Sequence, residues 1–198
     1  MKYVCTDCNG GWMNDLEKAV RHYMGPMLHG VSINLAREQQ ELITAWIVKT
    51  AMVLEATEPK RPPFYTQDER DAMRLRSAVP VRSLVWLGRF AGSQLLADAI
   101  DIKLNVDGVP KVADGYIATF IMGQFLAQIL TAHYPFHYNN KPMRIHLLDG
   151  PWDRTLVDIW PTRISADWPP SLAFSKSGFP FYSSLLDRWK MGRAVQVR

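Results

Sequence analysis

The chain has only two cysteines in 198 residues, too few for a framework of bridges, so its folding must rest on an apolar core rather than on covalent staples. It also lacks an apolar run of the roughly 20 residues that a bilayer span needs. The longest candidate, Tyr116 to Ala132, is interrupted by Gln124 and Gln128, and no membrane association is expected. No basic leader with an apolar stretch opens the sequence, where Lys2, Tyr3 and Val4 run directly into Cys5. A cytoplasmic location is the expectation. Charge of one sign is scarce as well: 23 Lys and Arg stand against 19 Asp and Glu, a net charge of +4. That permits an acidic partner without demanding one. Nucleophile elbows, phosphate-binding glycine loops and dinucleotide fingerprints do not occur, and Gly88 and Gly92 stand alone in strand-like sequence. The common enzyme classes therefore gain no support.

What is present is the composition of one globular domain, 47% apolar and 21% charged, spanning 1–198 without repeats or low-complexity segments. Asn14, with Glu17 three residues on, has the form of a capping box opening a helix over 15–24 that Gly25 and Pro26 would stop. A second helix, 37–56, is apolar over most of its circumference and so central. Pro59 to Pro63 forms a stiff extended connection. Thr66 caps a short polar helix over 67–77. The period then changes to about two, with strands expected at 82–90, 97–106, 116–132, 144–148 and 155–160. The segment 116–132 is long for one strand; Gly123 marks a bulge or bend there, and a buried helix is the competing reading because both faces are apolar. After an irregular connection, 182–191 can form a last amphipathic helix. The expected fold is α+β: a half knuckle over 1–13, a helical part over 14–78, an antiparallel meander over 79–165, and a connection with a C-terminal helix over 166–198.

The one local arrangement with strong chemical content is Cys5-Thr6-Asp7-Cys8-Asn9-Gly10-Gly11-Trp12. A two-residue gap lets both thiolates reach one tetrahedral ion, with zinc the candidate cofactor, but a structural zinc takes four ligands and the chain has no second cysteine pair. His133, His137 and His146 are the candidate additional ligands if the sheet brings them near Cys5 and Cys8. A redox role for the pair fits less well, because Asn9, Gly10 and Gly11 are expected to delay the helix whose dipole would activate a thiol. Lys49 shares the stripe of Leu42, Trp46 and Val53, where a charge needs a partner such as Glu17 or Glu38.

Cys5-x-x-Cys8-Asn9, Gly11-Trp12-Met13, Leu16-Glu17 and Trp46-x-x-Lys49-Thr50-Ala51 together resemble the downstream part of HNH-endonuclease-like bacterial and phage proteins. The resemblance covers about the first 55 residues, and 123–130 loosely. It implies that Cys5 and Cys8 are the second pair of a four-cysteine zinc site and that Asn9 is a remnant of a position near the catalytic metal. The first cysteine pair and the general-base His of that family have no counterpart, since four residues precede Cys5. No catalytic residue is therefore assigned. If the chain were active it would be a metal-dependent nuclease.

Trp152, Arg154, Arg163, Trp189, Lys190 and Arg193 place aromatics beside cations near the end of the chain, a pattern that suits a nucleic-acid or partner surface. Two functions follow as expectations: a catalytically incomplete, zinc-knuckle relative of HNH endonucleases that binds nucleic acid, or a non-catalytic protein-interaction module of phage or defence-system origin. A homodimer could complete a four-cysteine site across a two-fold axis.

Overall fold

A computed structural model describes residues 4–57, 62–104, 113–133 and 152–175. The chain folds as α+β. It begins with a three-residue helical turn, α1 (Thr6–Cys8), and a wide π-helical turn over Asn9–Met13, followed by α2 (Asn14–Leu28). A short strand β1 (Ile33–Ala36) leads into α3 (Arg37–Ala56), and α4 (Gln67–Arg76) follows. Two long strands, β2 (Ser83–Leu104) and β3 (Ala113–His133), precede a single turn α5 (Trp152–Thr155), β4 (Leu156–Trp160) and β5 (Ser165–Trp168).

All named strand pairs are antiparallel. Their order is β3-β2-β4 in one sheet and β1-β5 in the other. This is not the order of a meander: β4 returns to the free edge of β2 rather than adding beside its predecessor. The reason is burial. β4 supplies Leu156 to one face of the sheet and Ile159 to the other, and both faces of β2 need cover. The pairing of β1 with β5 joins residues more than a hundred positions apart, Ile33 opposite Trp168. Trp168 is 1% exposed, and its indole N–H donates to the Gly88 carbonyl of β2 at 3.0 Å, tying the small sheet to the large one.

The helices pack on one face of the large sheet. Leu16, Val20, Met24 and Met27 of α2 and Ile43, Ile47 and Ala51 of α3 share a core with Val85, Leu87, Phe125, Ala127 and Ile129. The opposite face carries a second core of Leu84, Trp86, Phe90, Ile117, Ile121, Leu126 and Leu130. Cover on both faces explains why 116–132 reads as a continuous apolar run, and it resolves that segment as strand rather than helix.

Four local expectations need correction. The helix over 15–24 continues through Gly25 and Pro26 to Leu28. Met27, fully buried, holds the last turn on the core and outweighs the one i→i−4 hydrogen bond that Pro26 cannot make. Asn14 is not a cap: its own backbone is helical and its amide donates to the Gly10 carbonyl at 3.4 Å. The strands at 82–90 and 97–106 are parts of one strand. The helix over 67–77 ends one residue sooner, with Ser77 in the left-handed region at φ 49°. The strand expected at 144–148 and the helix at 182–191 lie outside the described residues.

Gly123 does mark the irregularity. Its φ is +59°, and the register slips beside it, Arg89 facing Phe125 but Gln94 facing Gly123. The extra residues on β2 leave its backbone to Phe174, whose N–H donates to the Arg89 carbonyl at 2.7 Å and whose carbonyl accepts from Ala91. A Cβ at Gly123 would lie 2.4 Å from the Leu28 carbonyl oxygen at the end of α2, so the missing side chain is what lets helix and sheet approach. Gly123→Ala is expected to cost at least about 2 kcal/mol, from positive φ and from the clash together. The urea midpoint measures it.

Candidate functional site

The cysteine pair opens on a cleft of about 310 Å³. Cys5, Cys8, Trp12 and Met13 form one wall, Lys49, Met52 and Val53 of α3 the floor, and Arg70, Met73 and Arg74 of α4 the other wall. Each wall has a structural cause. Trp12 packs against the helical core and anchors the knuckle. On α4, the Thr66 hydroxyl accepts from the Glu69 N–H at 3.2 Å while Glu69 accepts from the Thr66 N–H at 2.8 Å, a reciprocal cap that starts the helix where its sequence predicts. Glu55 at the end of α3 is 5% exposed; it accepts from the backbone of Phe64 and Tyr65 and pairs with Arg70, which fixes α4 across the cleft.

Lys49 has the partner its position requires. Its side chain is 6% exposed, and Nζ lies 2.8 Å from Glu17 Oε1 on α2 and 5.4 Å from the centre of the Trp46 ring. Lys49 lines the cleft, and the ring adds a second favourable contact for the ammonium. Removing Glu17 leaves a buried cation with no carboxylate, so Glu17→Ala is expected to cost about 1–3 kcal/mol. Lys49→Met, which removes the charge and keeps the volume, is expected to change stability by less than about 1 kcal/mol. Denaturation of both variants beside the parent separates the two effects.

At the knuckle, helical conformation begins at Thr6, directly after Cys5, rather than after the glycines. The expected delay is therefore overturned. Gly11, at φ −95° and ψ −117°, instead kinks the path between the first turn and α2. The Cys8 N–H donates to Cys5 Sγ at 3.2 Å. Hydrogen bonds from the Cys8 thiol and then from its backbone N–H hold the Cys5 thiol below the usual thiol range. The Cys8 thiol is displaced upward, because its proton is the one shared with Cys5 and because of burial; Trp12 and Arg74 oppose this without reversing it. Cys5 is exposed and Cys8 half-exposed. The arrangement supplies one thiolate readily and a second when a cation displaces the shared proton, which fits two ligands of a thiolate metal site. Among the described residues, no group of three His, Cys, Asp or Glu side chains gathers around an ion position.

His133 does not join the pair. Its Nε2 lies 2.9 Å from Glu69 Oε1, and its ring stacks on Phe64 with centroids 4.3 Å apart. Burial raises the Glu69 carboxyl, but hydrogen bonds from His133 and the Thr66 N–H, with the charge of His133, more than offset this and leave it below its ordinary value. The pair fastens α4 to the end of β3. His137 and His146 lie outside the described residues, as do Trp189, Lys190 and Arg193. Arg154 in α5 and Arg163 beyond β4 stand at opposite ends of that strand, and Arg163 pairs with Asp158. Trp152 begins α5. Arg154 and Arg163 do not line the cleft. Asn9 is exposed in the π-helical turn.

The cleft-lining residues Met52, Met73 and Arg74 were not singled out by the sequence, and Met13 entered only as part of the Gly11-Trp12-Met13 motif. Only the spacing of Arg70 and Arg74 on a predicted helix carried a signal, since it puts both on one face. If the Cys8 thiol is what lowers Cys5, then Cys8→Ala raises the pH midpoint for alkylation of Cys5. Rates of iodoacetamide modification across pH, read by mass spectrometry, test the shift. Comparison with protein-family models, with curated proteins and with solved structures finds no match, so the site is read from its own chemistry.

Proposed function

We propose that this chain is a zinc-knuckle relative of HNH endonucleases with a binding rather than a cleaving role. In this reading Cys5 and Cys8 supply two thiolates of a four-thiolate site that a second copy of the chain completes. The observation that carries the reading is the Cys8 N–H to Cys5 Sγ hydrogen bond within one turn, which favours thiolate at Cys5, one of the two positions the resemblance assigns to zinc. Bound zinc would supply no reaction here; it would lock the turn and join two chains. A general base for phosphodiester cleavage is not among the residues assigned, and His133 is engaged by Glu69.

Nucleic acid is the partner class in this proposal. Arg74 and Arg76 are exposed in the last turn of α4, and Arg74 lies on the cleft beside Cys8. Two cations at a helix end beside a metal knuckle are suited to phosphate contact.

Elemental analysis beside light scattering tests the assembly. Half a zinc per chain in a dimer is the expected outcome, with both metal and dimer lost in Cys5→Ala. A monomer without zinc sinks the knuckle reading. The zinc-loaded protein is expected to bind duplex DNA with an affinity that falls as salt rises, and replacing Arg74 and Arg76 by Ala should lower the salt slope by about 2. Binding indifferent to salt would remove nucleic acid as the partner.

A further inference from the structure

The thiol pair sits beside an unusual set of neighbours. Met13, Met52 and Met73 line the same cleft as Cys5 and Cys8, so two cysteines and three methionines border one space of about 310 Å³. Thioether and thiolate sulfurs are soft donors and select monovalent copper over harder ions. Coordination number points the same way. Zinc needs four ligands, whereas a closed-shell monovalent ion such as copper(I) is satisfied by two thiolates, with thioethers as weak additional donors. One chain therefore holds a complete donor set for the second kind of ion and half a set for the first.

Charge and access agree. Two thiolates around a monovalent ion leave one net negative charge, and the Arg74 guanidinium acts on Cys8 from across the cleft. Cys5 is exposed, so an ion can arrive by ligand exchange from another thiol carrier, while Met73 is fully buried and Met52 nearly so, which shields the inner side from water.

We propose that the Cys5–Cys8 turn and the methionine-lined cleft bind a soft monovalent cation, copper(I) being the type, at one ion per chain. The site shares its thiols with the zinc reading but needs neither a second copy nor a further ligand.

Reduced full-length protein, titrated anaerobically with copper(I) against a chromophoric copper(I) chelator, provides the test. The expected result is one copper(I) per chain with the mass of the monomer retained. Cys5→Ala and Cys8→Ala each abolish binding. Met13→Leu, on the half-exposed turn where folding is least at risk, and Met52→Leu are expected to weaken copper(I) by about tenfold while leaving zinc content unchanged. Half a copper per chain with dimer formation would overturn the proposal, as would methionine variants that hold copper(I) like the parent. Copper(I) at one per chain in a protein that takes up no zinc would support it and remove the zinc reading instead.

Discussion

Three large polar side chains on the buried face of α3 find their partners inside the protein, and those pairings organise the molecule. Gln40, Lys49 and Glu55 are all at or below 5% exposure, and each is satisfied by a different part of the chain. Gln40 donates to the Leu35 carbonyl at 2.9 Å and exchanges hydrogen bonds with the Arg163 backbone, joining β1 to the segment before β5. Lys49 takes Glu17 of α2, and Glu55 takes the 64–65 backbone and Arg70 of α4. Apolar packing alone would let these elements slide, since it is non-directional. The buried polar contacts fix where each one docks, because leaving any of them unmade costs the desolvation of that group.

The cleft follows from two of those three attachments. Lys49 and Glu55 lie on the C-terminal half of α3, and the elements they hold, α2 and α4, are the ones that carry the knuckle and face it. Met52 and Val53 lie between the two anchors and become the cleft floor. The site is thus set by a helix that contributes no cysteine to it. On the far side of α4, the Glu69–His133 pair secures the same helix to β3, so Arg70, Met73 and Arg74 are presented to the thiols by a helix held along two sides.

Much of this was legible in the sequence where the determinants are local. The bounds of α3, the Thr66 cap and the need of Lys49 for a carboxylate, left open between Glu17 and Glu38, follow from helix periodicity, a short-range hydrogen-bond pattern and the cost of a charge on an apolar stripe. The misses share a different cause. β1 is four residues whose strand partner among the described residues, β5, lies more than a hundred positions away, and nothing in Ile33 to Ala36 announces it. Pro26 within α2 is a local stop signal overridden by the burial of Met27. The union of two expected strands into β2 depends on Phe174 taking up the backbone groups of the bulge. At the site, the cysteines were evident from spacing, but the methionines were not, since only the docking of α4 on α3 brings Met73 near Met52.

The knuckle is the least constrained part of this arrangement, and that bears on what a metal would do there. Neither the first turn nor the π-helical turn contributes a fully buried residue, and a Cβ at Gly10 or Gly11 would meet nothing within 4 Å. Trp12 is the main apolar tie between this segment and the core. A segment with few buried contacts has little free energy opposing its local opening. Under the proposed reading, metal bound by Cys5 and Cys8 would add to the stability of the knuckle itself, because the ligands are held together only in the ordered turn. The core of α3 and the sheet, built on its own buried contacts, has no such dependence, so metal affinity and knuckle order are coupled to each other and insulated from the rest of the fold.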